Sequence, residues 1–432
     1  MIRPIWFFPL VFSSLHLSAR EDSPLPPALS AYVLEAAPRT SAPLLRKGDR
    51  LAICGDSITE QKRYSLIIET YLTACRPELE ISCRQHGWSG EQVGGFLKRI
   101  KNDVLRFEPT IATTCYGMND FRYQPYDKEI ADEFRKNQTA MISEFQAIGC
   151  RVVLGSPGII DSVPHWVKNA SGTQEQLNLT LSRFRNISVE VSKNMSAGFA
   201  DIYQPMLLAD HVAKKRYGPD FKVAGKDGVH PDWAGHLIMA YGFLKGLGLD
   251  GDLGSVTYHE ATGIATAASG HEVLAGVDGK FTLLSRRLPF SPGPGATDRD
   301  DSVRAGLGLV PFDDELNRFI FKIELPKSAS YTVQWGEQKR KYTSEQLSRG
   351  VNLAKDFDNH PLVPAFRKIW EAVGKKQEYE TFQIKTLVHG PEGAADREAT
   401  FALTEKARAS LVKAVLAARQ PVEHQILVTA GK

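Results

Sequence analysis

Residues 51–60 read LAICGDSITE, an apolar run that ends in Gly-Asp-Ser and is followed by helical spacing. Two interpretations of Ser57 arise here. The segment from Ser57 to Glu60 fits the Ser-x-x-Glu capping box, in which side chains satisfy free backbone N–H groups at a helix start. Ser57 can also be a nucleophile, and that interpretation requires a base and hydrogen-bond donors elsewhere in the chain.

The same order of a short apolar run and then a helical pattern repeats through residues 47–250. The successive pairs are LAICGDS with SLIIETYLTAC, LEISCRQHG with VGGFLKRIKNDVLRF, TIATTCYGM with EIADEFRKNQTAMISEFQAI, and RVVLGSPG with residues 173–193. Alternation of this kind predicts right-handed crossovers and a parallel sheet covered by helices on both faces. We therefore expect an α/β domain with three layers, α/β/α.

Three polar or glycine-rich loops follow predicted strands: GDS at 55–57, HGWSG at 86–90 and YGMND at 116–120. Because ligands bind at the carboxyl ends of parallel strands, these loops are expected to meet at one edge of the sheet. A fourth fragment, DGVHP at 227–231, precedes the last helical pattern of the domain.

Together the four fragments resemble the block pattern of the SGNH hydrolases, also called GDSL esterases and lipases. The resemblance covers about residues 48–247. A weaker likeness, YTSEQLSRGVNLA at 342–354, is to an extension in some secreted bacterial members. GWSG departs from the pattern, since His86 stands where many members have an Asn.

The chemistry of ester hydrolysis explains the residue types. A serine hydroxyl needs a base to take its proton, and a carboxylate should hold that base in the right tautomer, which predicts Ser57, His230 and Asp227 as the catalytic residues. The resemblance implies that the oxyanion is bound by the backbone N–H groups of Ser57 and Gly90 and by the Asn119 side-chain amide. Asp56 is expected to tie the turn rather than to act in the triad.

Residues beside the blocks have two interpretations. Trp88, Arg122 and Tyr123 can contact substrate or can serve packing alone. His236 lies six residues after His230, but the spacing matches no zinc signature, so no metal and no cofactor are expected. His86 is expected to be structural or to line the pocket.

Composition narrows the class of protein. The 432 residues are 42% hydrophobic and 24% charged, as in ordinary soluble domains, and a net charge of +3 without a basic block does not suggest nucleic acid. The five cysteines contain no Cys-x-x-Cys motif; Cys75 and Cys83 could form a bridge, although buried thiols are the better expectation.

The N-terminus has the layout of a secretory signal peptide over residues 1–19: one Arg, an apolar stretch at 5–17, then small residues. The apolar stretch is short and contains Pro9, so a stable membrane anchor is not expected. Residues 20–46, rich in Pro and Ala, are interpreted as an exposed lead-in.

Beyond residue 250 the pattern changes. Residues 251–345 are predicted to be β-rich, with a hairpin at the Asp278-Gly279 turn and a strand YTVQW that alternates between two faces. Residues 346–432 are predicted to be a helical tail that packs on the catalytic domain. Its apolar stripes are Phe366, Ile369, Trp370 and Val373, and later Leu403, Ala407, Leu411, Ala414 and Val415.

The sequence thus predicts a secreted serine esterase that removes acyl groups, in the first place acetyl, from a carbohydrate, with a small-molecule or polysaccharide ester as its substrate. Within the same class, a lysophospholipase or thioesterase acting on longer acyl chains is the alternative. From another class, the second half could be a carbohydrate- or protein-binding module on an inactive hydrolase scaffold.

Overall fold

The first half of the chain is built on one sheet of five parallel strands, in the order β2-β1-β3-β4-β5. A computed structural model describes residues 25–38 and 43–431; the predicted signal peptide at 1–19 lies outside the described residues. The strands are β1 (Arg50–Gly55), β2 (Ser82–Gly87), β3 (Ile111–Cys115), β4 (Arg151–Gly155) and β5 (Gly198–Ala200).

Helices cover this sheet on both faces. They are α1 (Ser57–Glu60), α2 (Arg63–Ala74), α3 (Val93–Asp103), α4 (Lys128–Gln146), α5 (Gln174–Asn194), α6 (Tyr203–Tyr217) and α7 (Trp233–Gly246). Every residue of β3 is buried, as expected for a strand covered on both sides. The predicted three-layer α/β/α fold is confirmed.

The strand order places a crevice at one point of the sheet. The chain runs outward from β1 to β2 and then returns to β3 on the other side of β1. Loops after β1 and β3 therefore diverge, and such a switch point is where open α/β sheets bind ligands. Ser57 follows β1 and Asn119 follows β3.

The second half adds two smaller sheets, ordered β13-β10-β6-β7 and β12-β11-β14-β9-β8. Their strands are β6 (Asp252–His259), β7 (Ile264–Ala268), β8 (His271–Val277), β9 (Lys280–Ser285), β10 (Arg318–Glu324), β11 (Ser330–Trp335), β12 (Gln338–Thr343), β13 (Val351–Asn352) and β14 (Val422–Ala430). The hairpin between β8 and β9 turns at Asp278 and Gly279, both at positive φ.

The helices of the second half are α8 (Val303–Leu307), α9 (Phe312–Glu315), α10 (Ser344–Arg349), α11 (Leu353–Asp356), α12 (Val363–Phe382), α13 (Pro391–Ala395) and α14 (Arg397–Ala418). A π-helical segment, Gln383–Val388, follows α12 directly. The predicted helical tail is not helical to its end, because β14 returns to the second small sheet and pairs with β11 and β9.

The tail lies on the first half of the chain. Phe366, Ile369 and Val373 on α12 are buried, and α12 packs along α2. Burying an aliphatic or aromatic side chain of this size contributes about 1.5–3 kcal/mol. Trp370 is half-buried and contacts Trp233 at 5.5 Å between ring centroids.

The tail also contacts β2, through polar groups. β2 is an edge strand, and its free backbone groups bond to tail side chains: the Cys83 C=O accepts from Lys376 Nζ and from Arg408 Nη2, each at 3.0 Å, and the Gln85 N–H donates to Glu380 Oε2 at 3.1 Å. Covering an exposed edge protects it from pairing with another chain.

The predicted apolar stripe on α14 is wrong at Leu403, Ala407 and Ala414, whereas Leu411 is half-buried and Val415 is buried as predicted. Leu403 is 69% exposed, and Ala407 and Ala414 are also exposed. The buried positions of α14 are Thr400, Phe401, Thr404 and Val415. The helix turns toward β2 the face that carries hydrogen-bonding groups, since the edge strand needs partners that alanine and leucine cannot supply.

The lead-in packs more than predicted. Leu29 is only 9% exposed, and the Asn186 side chain on α5 donates to the Val33 C=O at 2.9 Å and accepts from the Glu35 N–H at 3.0 Å. Residues 25–38 are thus held against the first half of the chain, because an amide side chain can satisfy both kinds of backbone group.

All five cysteines are buried and free, so Cys75 and Cys83 are not bridged. Within residues 25–38 and 43–431, no helix is long and apolar enough to cross a membrane.

Candidate active site

Ser57 is the first residue of α1, directly after the carboxyl end of β1. The N-cap is Asp56, whose Oδ1 accepts from the Ile58 N–H at 3.0 Å. The capping box predicted for Ser57 and Glu60 is therefore wrong by one position. Because Asp56 caps the helix, the Ser57 hydroxyl is not needed as a cap, and it lies at the helix N-terminus.

The hydroxyl bonds to a histidine from a loop far along the chain. Ser57 Oγ lies 2.7 Å from His230 Nε2, and His230 Nδ1 lies 2.7 Å from Asp227 Oδ2. The other carboxylate oxygen, Asp227 Oδ1, accepts from the backbone N–H groups of Val229 and His230 at 2.9 and 2.8 Å. Backbone N–H groups of the loop therefore hold the Asp227 carboxylate in place through one oxygen, and its other oxygen orients the His230 ring.

The pKa values distinguish the two aspartates near Ser57. Partial burial alone would raise the pKa of Asp227, but hydrogen bonds from the N–H groups of His230 and Val229, and from the His230 ring, bring this pKa below its usual range. Burial raises the pKa of Asp56 to about 7. Asp227 is thus the carboxylate that stays ionised against the imidazole.

The loop after β2 forms a tight turn at residues 88–91. The Glu91 N–H donates to the Trp88 C=O at 3.2 Å, and Gly90, at the third position, has φ of 73°. A positive φ at that position is the mark of a type II turn and favours glycine. Among the described residues no hydrogen bond takes up the Gly90 N–H, which leaves it able to bind an anion.

Asn119 lies in the loop after β3. Its side-chain Nδ2 donates to the Glu91 C=O at 3.2 Å, and its Oδ1 accepts from the Tyr123 hydroxyl at 3.2 Å. The neighbouring Asp120 holds the loops together by accepting from the backbone N–H groups of Val93 and Gly117, each at 3.0 Å. The Asn119 amide therefore has a set orientation beside the turn of Gly90.

The three residues predicted as possible substrate contacts have different surroundings. Tyr123 is buried and bonds to Asn119. Arg122 is exposed and pairs with Glu133 at 2.5 Å. Trp88 is half-buried beneath the tail, with its ring centroid 5.0 Å from that of His389 and 5.1 Å from Lys385 Nζ.

Sequence reasoning missed Trp166. This residue lies between β4 and α5, is 45% exposed, and stacks on the His230 ring at 5.6 Å and 30° between planes. It also meets the Tyr123 ring edge-on at 5.8 Å. The sequence signal for Trp166 is an aromatic residue in the loop after β4, the next strand along the sheet.

The two other histidines in or beside the blocks, His236 and His86, are buried. His236 Nε2 lies 2.7 Å from Gln61 Oε1, and its Nδ1 accepts from the Tyr64 N–H at 3.3 Å. His86 is 3% exposed in β2 and stacks on Phe107. In the part of the chain that the structure describes, no three or more His, Cys, Asp or Glu side chains cluster as metal ligands do.

The residues that form this candidate site lie in a region that is similar to a known protein family. Residues 53–238 match the model of the GDSL-like lipase/acylhydrolase family, a span that holds all four sequence blocks. Residues 53–238 are a GDSL-like lipase/acylhydrolase domain. The chain is an ester hydrolase whose first half has the SGNH-type fold, and it carries an extension beyond the family domain.

One curated relative and one solved structure show how similar this chain is to known proteins. An acetylxylan esterase of Geobacillus stearothermophilus is 26% identical over 222 residues, which are 47% of this acylhydrolase and 95% of the relative. The solved structure of a gut microbial diltiazem-metabolizing enzyme matches with a TM-score of 0.71 at 22% identity, and it covers 91% of this chain and 100% of its own. The second likeness is one of fold, and it includes the extension.

Proposed function

We propose that this acylhydrolase is a serine esterase in which Ser57 is the nucleophile, His230 the base and Asp227 the residue that orients the base. The observation that carries the proposal is the series of two contacts, each 2.7 Å, from Ser57 Oγ through the His230 ring to the Asp227 carboxylate. Three residues from two distant loops meet in hydrogen-bond order, as nucleophilic catalysis requires.

The reaction then proceeds in two halves. Ser57 Oγ attacks the ester carbonyl carbon while His230 Nε2 takes the hydroxyl proton, and the His230 Nδ1–H stays bonded to Asp227, which stabilises the imidazolium. The C–O bond to the alcohol breaks as His230 returns that proton to the leaving oxygen. Water, activated by His230, repeats the sequence on the acyl-enzyme and releases the acid and free Ser57.

The oxyanion formed in each half is proposed to be bound by the Ser57 N–H, the Gly90 N–H and the Asn119 amide. The free Gly90 N–H and the helix start at Ser57 support this assignment. Removing one such donor typically lowers turnover by about 10²–10³-fold.

The proposed substrate is an acyl ester, in the first place an acetyl ester, on a carbohydrate. The acetylxylan esterase relative supports this class of substrate. So does the ring of Trp166, which is exposed beside His230 and offers a flat apolar face of the kind on which a sugar ring can lie. Export through residues 1–19 would bring the enzyme to such polysaccharides.

The test is a release assay on purified enzyme. Acetylated xylo-oligosaccharides and aryl esters of rising acyl length are offered at equal concentration to the wild type and to Ser57→Ala. We expect acetate release from the oligosaccharide, turnover that falls as the acyl chain lengthens, and at least a 10³-fold loss in the variant.

Each contrary outcome has a meaning. Turnover that rises with acyl length would contradict the acetyl assignment and favour a lysophospholipase or thioesterase. A wild type that binds the oligosaccharide but hydrolyses none of the esters would contradict the enzyme and favour a binding module on an inactive scaffold.

A further inference from the structure

The extension reaches the active site at one charged residue. Lys385 lies in the π-helical segment Gln383–Val388, and its Nζ contacts both carboxylate oxygens of Glu60, at 2.7 and 2.9 Å. Glu60 ends the helix that begins with Ser57. π-Helical turns are rare and often occur at functional sites.

Glu60 also contacts the turn after β2. Its Oε2 accepts from the Ser89 N–H at 2.5 Å, while the preceding Trp88 N–H donates to the Gly55 C=O at 2.9 Å. Both side chains of the ion pair are largely shielded, with 21% of Glu60 and 29% of Lys385 exposed. A shielded bidentate pair holds its geometry better than an open surface pair does.

The Ser89 N–H that Glu60 holds is next to the peptide that carries the Gly90 N–H, whose direction is important for binding an oxyanion. Ser89 and Gly90 are the two central residues of the turn at 88–91, and the peptide between them carries the Gly90 N–H. Type I and type II turns differ by a rotation of this central peptide of about 180°, which reverses its N–H. A bond that fixes Ser89 therefore influences where the Gly90 N–H points.

We propose that Lys385 and Glu60 are positioning residues for the oxyanion hole: Lys385 holds the Glu60 carboxylate, and Glu60 holds Ser89 so that the Gly90 N–H faces the reacting carbonyl. This inference rests on the proposed function of Ser57 and Gly90. It makes the extension part of the catalytic apparatus, since Lys385 lies far outside the family domain at 53–238.

The test compares Lys385→Met with a matched control, Glu398→Gln. Glu398 also joins the tail to the first half of the chain, through Arg106 at 2.6 Å, but this pair is not bonded to the turn. We expect Lys385→Met to lower kcat about 10-fold with KM nearly unchanged, because a misdirected donor loses part of the effect of a deleted one. Glu398→Gln should keep kcat within twofold of the wild type.

Two further variants separate positioning from general damage. Lys385→Arg keeps the charge and should recover most of the kcat lost in Lys385→Met. In a Glu60→Ala background, Lys385→Met should cause no additional loss, since the pair acts through one carboxylate. Additive losses, or a wild-type kcat in folded Lys385→Met, would overturn the proposal.

Ser57→Ala is measured on the same ester, so the two claims fail separately. Residual activity of Ser57→Ala near the wild type would contradict the serine mechanism and, with it, the positioning role. An inactive Ser57→Ala beside a fully active Lys385→Met would overturn the positioning role alone.

Discussion

Two histidines six residues apart in the loop and helix after Asp227 have opposite surroundings. His230 has one ring nitrogen on Ser57 and the other on Asp227, whereas His236 is fully buried between Gln61 and Tyr64. This contrast gives a paired prediction, because the same substitution removes the proposed base at one position and only a buried, packed side chain at the other.

His230→Ala should lower kcat by at least 10³-fold, since the Ser57 hydroxyl is a weak nucleophile without its base. His236→Ala should keep kcat within about threefold at a temperature where the variant stays folded, while its melting temperature falls because a buried side chain is lost. Steady-state kinetics on one aryl acetate, together with thermal melts, checks both. Equal losses of kcat at the two positions would contradict the choice of base.

Asn119 is the second residue-scale test. Asn119→Ala should lower kcat by about 10²-fold or more with little change in KM, because the side-chain amide is proposed to act on the oxyanion only. Tyr123→Phe removes the hydroxyl that orients this amide and should cause a smaller loss in the same direction. An Asn119→Ala variant with wild-type kcat would show that Asn119 is not an oxyanion donor.

At the scale of elements, the second small sheet is joined by a buried hydrogen-bond chain. The Trp335 Nε1–H donates to His424 Nδ1 at 3.0 Å, and His424 Nε2 lies 2.8 Å from Ser285 Oγ. Ser285 Oγ lies 2.7 Å from His271 Nδ1, and His271 Nε2 lies 2.8 Å from the Leu253 C=O. One set of neutral tautomers satisfies every bond in this chain, and a second proton on His424 would place its Nδ1–H against the Trp335 Nε1–H.

This chain predicts a loss of stability in acid. Burial lowers the pKa of His424 to about 3 and of His271 to about 4, so the folded state keeps both rings neutral while the unfolded chain protonates them below pH about 6.5. The unfolded state thus binds more protons, and stability falls as pH decreases from about 6.5 toward 4, by about 2 kcal/mol for each ring at pH 5.

Thermal melts between pH 7.5 and 5 measure this effect. The variant His424→Gln should show a flatter decline in melting temperature than the wild type, because one titrating ring has been removed, while the exposed His165→Gln should decline as the wild type does. Parallel curves for the wild type and His424→Gln would contradict the assignment.

The elements also show why some predictions from sequence succeeded and others failed. The parallel sheet was predictable from the alternation of apolar runs and helical patterns. Because parallel strands carry their loops to one edge, the loops that hold Ser57 and Asn119 were expected at the same edge. The N-cap was misplaced because Asp56 and Ser57 are both good capping residues and only the backbone decides between them. The strand β14 was missed, although His424, Ile426 and Val428 alternate as buried residues, because a long helix precedes it.

In the molecule as a whole, the tail packs over the edge strand β2 and bonds to its backbone groups. The stripe on α12 was predictable from its period, but the buried charges of Lys376 and Glu380 were not, because polar residues in a sequence are expected to face water. The two side chains pair with each other one helical turn apart, at 2.7 Å, and also bond to backbone groups of residues 83 and 85. No local pattern shows the second kind of bond, because it joins residues that are distant in the sequence.

This cover predicts the outcome of truncation. A fragment of residues 45–250 should aggregate, or should melt roughly 10 °C or more below the full chain, because it exposes the β2 edge and the apolar face of α2. A matched truncation that keeps the tail, residues 43–432, should remain soluble and active. A soluble, fully active fragment 45–250 with an unchanged melting temperature would contradict the cover and favour an independent second half.

Covalent labelling tests whether Ser57 is the nucleophile of an ester hydrolase. The full chain is treated with a fluorophosphonate, which phosphonylates an activated serine, and the modified residue is located by peptide mass spectrometry. We expect one label per chain, on the peptide that contains Ser57, with strongly reduced labelling in His230→Ala. Labelling confined to another residue, or no label on a folded wild-type chain, would contradict this role of Ser57.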